Sequence, residues 1–161
     1  MREGGCACGA VRYRLGAEPL IVHACHCRDC QRLTGSAFVV NLWLERSHVE
    51  VLGAPPRSHA LRAGSGQCHE VFFCATCGTT LWSRYHAPPG DTWFVRAGTL
   101  DEPAAVTPDV HIFTRSKLPW LPLPAGARAC EAMYTDFGAV WAPEKLARFR
   151  RHVAEHTAAS R

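Results

Sequence analysis

The amino-acid sequence predicts a mainly β fold with one helix near the C-terminus. Short stretches of alternating or uninterrupted apolar residues are separated by turns that contain glycine and proline. Strands do not alternate regularly with helices, so a βαβ architecture is not favoured. Of the 161 residues, 47% are hydrophobic and 20% are charged, and these values are typical of a folded globular chain rather than a disordered one.

Apolar patterning marks the strands. In residues 11–15, Val11, Tyr13 and Leu15 alternate with two arginines, which is the pattern of a half-buried strand. Residues 37–44, with the sequence AFVVNLWL, form an apolar run that predicts a buried strand. Further strands are predicted at residues 48–52, 71–73, 79–82 and 92–97, and turns at residues 53–56 and 64–66.

Two segments carry helical signals. Residues 29–33 predict a short turn of helix that ends at Gly35. Residues 143–156 predict a longer helix, because Pro143 suits a first helical position and an apolar stripe follows it. That stripe consists of Leu146, Phe149 and Val153.

The proline-rich segment LPWLPLPAG at residues 118–126 suggests where the compact part of the chain ends. We therefore predict one domain over residues 2–121 and a docked C-terminal extension over residues 122–161. No apolar run approaches the roughly 20 residues that a membrane helix requires. The first five residues lack the apolar stretch of a secretory signal, so a reducing, cytoplasmic location is expected.

Nine cysteines dominate the chemistry of the sequence. In a reducing compartment such clustered cysteines favour metal binding over disulfides, and an odd number does not pair completely. Seven of them form three motifs, CxC, CxCxxC and CxxCG, whereas Cys68 and Cys130 stand alone. The seven are Cys6 and Cys8, then Cys25, Cys27 and Cys30, then Cys74 and Cys77.

The spacing allows two divisions of these cysteines between zinc ions. In the first, the CxC and CxxCG pairs hold a closed four-thiolate zinc, and the triplet holds a second zinc with one position open for water or substrate. In the second, Cys27, Cys30, Cys74 and Cys77 form one four-cysteine site, although their separation exceeds the usual zinc-ribbon interval of roughly 15–20 residues. Spacing alone does not decide between the two.

Five segments together carry a resemblance to a known family. They are GGCACGAVRY, CHCRDCQRLTGSAF, FFCATCGTTLW, RAGTLDEP and HIFTRSKLPW, in that order, between about residues 4 and 120. In these segments the chain resembles the glutathione-dependent formaldehyde-activating enzymes, a family that also includes centromere protein V. The resemblance implies a mainly antiparallel, Mss4-like fold of the kind called a β-tent.

The resemblance also implies a division of the cysteines and an activity. It assigns a structural zinc to Cys6, Cys8, Cys74 and Cys77, and a more labile, catalytic zinc to Cys25, Cys27 and Cys30. It implies a carbon–sulfur lyase that joins a small thiol, with glutathione the leading candidate, to an aldehyde such as formaldehyde. Zinc would favour the thiolate form of that thiol, which is the nucleophile.

Residues beside the triplet have less specific roles in this interpretation. His26 should point away from Cys25 and Cys27 in an extended segment, whereas His23 has the same parity as Cys25. Arg28 and Arg32 are candidates for stabilising thiolates or binding a glutathione carboxylate, but ordinary surface roles are equally compatible with them.

Two rival functions come from the same sequence. Nucleic-acid binding is a possible function because the net charge is +4 and the last helix carries arginines at positions 148, 150 and 151. Seven thiolates with two zinc ions would lower that charge to about +1, so the sequence does not favour nucleic acid. The second rival is a zinc-stabilised binding module without turnover, but the intact triplet favours an enzyme over it.

Overall fold

A computed structural model of the protein describes residues 1–85 and 90–159. The ten strands and two α-helices in these ranges confirm the predicted mainly β class with a C-terminal helix. In chain order the elements are β1 Arg2–Gly5, β2 Arg12–Leu15, β3 Ile21–Cys25, α1 Arg28–Thr34, β4 Val39–Glu45, β5 Val49–Val51, β6 Arg57–Arg62, β7 Cys68–Phe73, β8 Thr80–Tyr85, β9 Thr92–Arg96, β10 Val110–Ile112 and α2 Pro143–Ala159.

The strands form two sheets. A three-stranded sheet has the order β1-β2-β5, and a seven-stranded sheet has the order β10-β3-β4-β9-β8-β7-β6. Neighbouring strands are antiparallel, with the exception of β10, which pairs parallel to β3. Parallel neighbours need a long connection. Here the connection from β3 to β10 includes α1 and the strands β4 to β9.

One hydrophobic core lies between the two sheets. Tyr13 and Leu15, on the inner side of β2, are at most 1% exposed and pack with Trp82 and Val95 of the large sheet. The rings of Tyr13 and Trp82 meet edge to face at 5.5 Å. Burying each large apolar side chain of this kind stabilises a fold by about 1.5–3 kcal/mol. The alternation that predicted a strand at residues 11–15 therefore marks the face that joins the sheets.

A second core covers the other face of the large sheet. Trp43 of β4 contacts Trp141 and Phe149 with ring centroids 5.2 and 5.6 Å apart, so the C-terminal extension packs on this face. The helix predicted at residues 143–156 is present as α2, and its Leu146 and Phe149 belong to this core. The boundary between residues 121 and 122 stays a proposal, because residues on both of its sides share one core.

An ion pair fixes α2 next to this core. Arg148 donates from Nε and Nη2 to the two carboxylate oxygens of Glu45, at 2.8 and 2.9 Å. Burial is the largest single influence on the pKa of Glu45 and raises it, but the hydrogen bond and charge of Arg148, together with a backbone hydrogen bond, hold the pKa below its usual value. None of the helices in the described ranges is both long and apolar enough to cross a membrane.

Candidate metal centres

Four cysteines from two distant loops meet at one end of the structure. Cys6 and Cys8 lie in the turn between β1 and β2, and Cys74 and Cys77 lie in the turn between β7 and β8. The glycine after each pair has a positive φ, 77° at Gly9 and 74° at Gly78, which a residue with a Cβ rarely adopts. We call these sulfurs the four-cysteine cluster, consisting of Cys6, Cys8, Cys74 and Cys77.

The sulfur geometry of this cluster suits zinc. All four Sγ atoms lie within 4.8 Å of one another, with Cys6 and Cys8 at 3.5 Å and Cys8 and Cys74 at 3.7 Å. A tetrahedral zinc with Zn–S bonds of about 2.3 Å places its sulfurs about 3.8 Å apart. Four sulfurs at that spacing are a complete ligand set, so this cluster could hold one zinc ion with no position left open.

Backbone and hydroxyl groups support the thiolate form in this cluster. The Val11 amide donates to the sulfur of Cys6 at 3.2 Å. Hydrogen bonds from Thr79, through its hydroxyl and its backbone, lower the pKa of Cys77 to about 5. The Thr79 hydroxyl also accepts from the Ala7 amide at 3.2 Å, and this contact joins the two cysteine loops directly.

Three further cysteines meet where β3 passes into α1. Cys25 ends β3, Cys27 is the N-cap of α1, and Cys30 lies in the first turn of that helix. Cys27 has an extended backbone, and its sulfur accepts a hydrogen bond from the Cys30 amide at 3.3 Å. The helix ends at Gly35, which has φ 61°. The predicted helical turn is thus confirmed, and it places the second and third cysteines beside the first.

These sulfurs form what we call the three-cysteine cluster, and it differs from the first in number and burial. Its Sγ atoms lie within 4.8 Å of one another, and no fourth cysteine, histidine or carboxylate within residues 1–85 and 90–159 belongs to it. Cys25 and Cys30 are buried, whereas Cys27 is half-buried. Three sulfurs fit zinc as a ligand set that leaves one coordination position free.

The thiols of this cluster are electrostatically coupled. Hydrogen bonds from Cys25 and Cys30 lower the pKa of Cys27 to about 2. The hydrogen bond with Cys27 in turn raises the pKa of Cys25. Negative charge is therefore favoured on Cys27 over Cys25. A divalent cation would take the place of the thiol protons, as expected for a metal site built from thiols.

Comparison with known proteins decides the family. The family model described as glutathione-dependent formaldehyde-activating enzyme matches residues 1–116. The chain belongs to this family. The predicted enzyme of the carbon–sulfur lyase type is thereby confirmed.

Two curated relatives and one solved structure are similar to the chain. A Halomonas elongata protein named "Putative glutathione-dependent formaldehyde-activating enzyme" is 29% identical over 140 residues, which cover 83% of this chain and 88% of the relative. An uncharacterized lyase of Schizosaccharomyces pombe is 28% identical over 83 residues, or 52% of this chain and 57% of the relative. The crystal structure of a Rhodobacter sphaeroides protein is 24% identical, with a TM-score of 0.49, and covers 66% of this chain and 91% of its own.

The histidines near the family's CHCxxC motif do not belong to the three-cysteine cluster. His26 is fully buried, and its Nε2 lies 3.0 Å from Nδ1 of His111. The predicted orientation away from Cys25 and Cys27 agrees with this contact, and the ring lies in the interior. His23 is also buried, and its Nε2 lies 2.7 Å from the hydroxyl of Tyr134. Neither histidine joins the sulfurs.

Polar residues of α1 serve mainly to hold the helix in place. Arg28 donates to the Oε1 atom of Gln31, while Arg32 is exposed. Gln31 is buried and donates from Nε2 to two carbonyls, those of His26 at 2.7 Å and Ser116 at 3.0 Å. The sequence-based prediction gave no role to Gln31, although it belongs to the family motif CHCRDCQ and fixes α1 beside the end of β10.

The structure also places a buried cation near the three-cysteine cluster. Arg96, in the RAGTLDEP segment, is 5% exposed and donates to Asn41 and to Ser83. Burial lowers the pKa of Arg96, and the charge of Cys30 raises it in part. Sequence analysis missed this arginine, since strand register rather than sequence spacing brings it to the cysteines. The motif that contains it was the only available signal.

Proposed function

We propose that this protein binds a low-molecular-weight thiol at the three-cysteine cluster and forms or cleaves the adduct of that thiol with an aldehyde. Glutathione and formaldehyde are the leading pair, supported by the family to which the chain belongs and by the name of its Halomonas elongata relative. The reaction adds the thiol sulfur to the carbonyl carbon. The carbonyl π electrons move to the oxygen, which gains a proton to replace the one that the thiol released.

The observation that carries this proposal is the difference between the two cysteine clusters. One has four sulfurs, whereas the other has three, two of which are buried. When bound at three sulfurs, zinc favours the thiolate form of an added thiol. Cys25, Cys27 and Cys30 hold the position at which that thiol would lie. Their place at the junction of β3 and α1 fixes this position on a rigid part of the fold.

We assign a structural role to the zinc of the four-cysteine cluster in the same proposal. Its ligands come from loops that are 66 residues apart, measured between Cys8 and Cys74. A metal at this point would join the three-stranded sheet to the β7–β8 hairpin. Structural zinc contributes directly to folding free energy, so this ion would stabilise the arrangement that the catalytic cluster needs.

An exchange experiment tests the reaction. Zinc-loaded protein is mixed with glutathione and formaldehyde, and exchange NMR measures adduct formation against the uncatalysed reaction, because the two compounds combine spontaneously. We expect acceleration by the unmodified protein and none by Cys25→Ser. Cys68→Ser is the matched control, because Cys68 is an exposed thiol outside both clusters.

The same experiment can contradict the proposed reaction. Thiol binding that is indifferent to Cys25→Ser, with no acceleration for any thiol and aldehyde tried, would overturn the enzymatic proposal. A zinc-stabilised binding module would then be the better description. Acceleration with a thiol other than glutathione would keep the reaction and replace the substrate.

A further inference from the structure

One face of the seven-stranded sheet carries polar side chains that the three-cysteine cluster does not include. In the strand register, His23 of β3 faces Asn41 of β4, and Asn41 faces Arg96 of β9. Side chains two residues apart in a strand share a face, so Cys25 lies on the same side as these three residues. The polar row therefore begins at the cysteines.

The row continues across the next two strands. Ser83 of β8 faces both Phe94 of β9 and Val71 of β7, and Phe94 stands two residues before Arg96. His69 lies two residues before Val71 and so belongs to the same face. Arg96, Ser83 and His69 are at most 5% exposed. Five adjacent strands thus contribute buried polar groups to one face of the sheet.

Arg96 is a buried cation without a carboxylate partner in the described part of the chain. Its two terminal nitrogens donate to neutral groups, Oδ1 of Asn41 and, at 3.1 Å, Oγ of Ser83. Its Nε has no hydrogen-bond partner in the same part of the chain. Burying an unpaired charge is unfavourable, so a guanidinium in this position needs a source of negative charge.

The three-cysteine cluster supplies that charge. Cys30, Cys25 and Cys27 all act electrostatically on Arg96. Three thiolates and one zinc ion carry one net negative charge, and an added substrate thiolate would make it two. Arg96 therefore offsets charge at the position where the thiolate would bind, while its free Nε–H remains available.

His69 adds a second unsatisfied group. Its ring is 1% exposed and stacks on Tyr85 at 4.1 Å, yet neither ring nitrogen has a hydrogen-bond partner among residues 1–85 and 90–159. A neutral imidazole has one N–H donor and one acceptor. Buried polar atoms in proteins are nearly always paired with protein, water or ligand, and each exception needs an explanation. The pKa of this ring is lowered to about 4, mainly by burial and further by the charge of Arg96, while the charges of Asp29 and Cys27 raise it in part.

The geometry points to an oxygen subsite: we propose that Nε of Arg96 and the N–H of His69 bind the carbonyl oxygen of the aldehyde that reacts at the three-cysteine cluster. This inference rests on the proposed function and assigns the residues that the reaction uses besides the cysteines. As the sulfur–carbon bond forms, the carbonyl π bond breaks and its electron pair moves to the oxygen. Two donors directed at that oxygen stabilise the developing charge, and water then supplies the proton.

The small size of the subsite favours the aldehyde oxygen as its occupant over a carboxylate of a thiol such as glutathione. The polar row is buried on five strands, so a large flexible molecule has no room between these side chains. A one-carbon aldehyde has a single oxygen and needs only a small pocket. A cavity of about 380 Å³ beside the end of α1 is lined in part by Arg96, Thr34 and Ser36, so the Arg96 end of the polar row borders an open space.

The test separates thiol binding from reaction. His69→Phe and Arg96→Lys, both zinc-loaded, are compared with the unmodified protein for glutathione affinity and for acceleration of exchange with formaldehyde. We expect the affinity to change little and the acceleration to fall about 10²–10³-fold, as for loss of one donor to an oxyanion. His69→Gln, which keeps an N–H donor, should recover part of the rate. His23→Phe is the matched buried-histidine control, because His23 already has Tyr134 as its partner.

A second measurement does not depend on variants or on rate. Nitrogen-15 NMR of histidine-labelled protein follows the ring nitrogens of His69 as formaldehyde is added with and without glutathione. We expect their signals to move when both are present and those of His23 to stay in place. Unshifted His69 signals, or variants that accelerate exchange as well as the unmodified protein, would overturn the subsite. Absence of acceleration by the unmodified protein would instead overturn the proposed function and the subsite together.

Discussion

At the scale of single residues, Cys27 combines a structural and a chemical position. Its sulfur caps α1 through the Cys30 amide and also belongs to the three-cysteine cluster. Serine is a good helix N-cap and can accept the same hydrogen bond. A Cys27→Ser change therefore separates the two roles, since it keeps the cap and removes a thiolate.

We expect Cys27→Ser to fold and to lose one metal ion. Cys74→Ser should fail to fold, because it removes a ligand of the zinc that we assign to the four-cysteine cluster. Structural zinc contributes about 10–16 kcal/mol in small zinc-binding peptides, as much as the whole stability of a typical domain. Circular dichroism and metal analysis check both variants. Equal unfolding of the two would contradict the division into a structural and a catalytic cluster.

Gly4 is a second residue with a specific prediction. A Cβ at this position would lie 2.4 Å from the carbonyl oxygen of Thr99 and 2.5 Å from the hydroxyl of Tyr13. Gly4→Ala should lower the free energy of unfolding by about 1–3 kcal/mol, as overpacking does. Gly98→Ala is the control, because a Cβ added there would meet no described neighbour within 4 Å. Denaturant unfolding measures both, and equal stability would contradict the close approach.

The cysteines of the candidate site could be predicted from the sequence, but the other residues of the site could not. Clustered thiols show their chemistry in the sequence, and family resemblance indicated how to divide them. Arg96 belongs to a family segment that gave it no chemical role, and His69 belongs to none of these segments. Both approach the cysteines only through pairing across β4, β9, β8 and β7. Long-range register is a property of the folded sheet, so local patterns do not reveal it.

At the scale of elements, α2 is held by one polar contact beside its apolar face. Glu45 is 3% exposed and Arg148 is 25% exposed by side chain, so their ion pair is largely shielded from water. We expect Arg148→Ala to lower the free energy of unfolding by about 3 kcal/mol, since it leaves a buried carboxylate unpaired. Arg151→Ala is the control on the exposed side of α2. Chemical denaturation measures the difference, and equal stabilities would contradict this role of the ion pair.

The same contact predicts a pH dependence. The pKa of Glu45 is lower in the folded protein than its ordinary value of about 4.3. Its contribution to stability is therefore present above that ordinary value and is lost as the pH falls through the folded value. Glu45→Gln should be less stable at neutral pH and should lose less stability on acidification. If the stability of Glu45→Gln falls with acid in the same way as that of the unmodified protein, the ion pair is not the source of the pH dependence.

Strands were predicted where a face is clearly apolar. The elements β2, β4, β5, β7, β8 and β9 follow such patterns, whereas β1, β3, β6 and β10 were missed. In β6, RSHALR, nearly every side chain is exposed because it is the edge strand. The strand β1, REGG, contains no apolar side chain, so it has no hydrophobic pattern to detect.

At the scale of the whole molecule, metal content tests the arrangement. We expect purified protein to bind up to two zinc ions, one of which a mild chelator removes. Zinc held by the closed four-sulfur ligand set should exchange slowly, whereas zinc held by three sulfurs has a coordination position open to a competing ligand. Metal analysis before and after brief chelation measures this. Tight retention of both ions, or a maximum of one, would contradict an open second site.

Nucleic-acid binding is the remaining prediction at this scale. Arg148 is engaged by Glu45, so it does not extend the basic surface of α2. Duplex DNA should bind weakly and dissociate as salt approaches physiological strength, as a few nonspecific phosphate contacts would. Titration at two salt concentrations checks this, with Arg150 and Arg151 replaced as the comparison. Salt-resistant, sequence-selective binding that depends on these arginines would contradict it.

The distance between the two cysteine loops has a consequence for synthesis on the ribosome. Cys25, Cys27 and Cys30 emerge together within six residues, but the four-cysteine cluster has no complete ligand set until Cys77 has followed. At about 5–20 residues per second, the 47 residues from Cys30 to Cys77 take about 2–9 s to add. During this time the nascent chain presents a complete triplet of thiols and an unfinished structural site. The ligands proposed for the labile ion thus become available before those proposed for the ion that stabilises the fold.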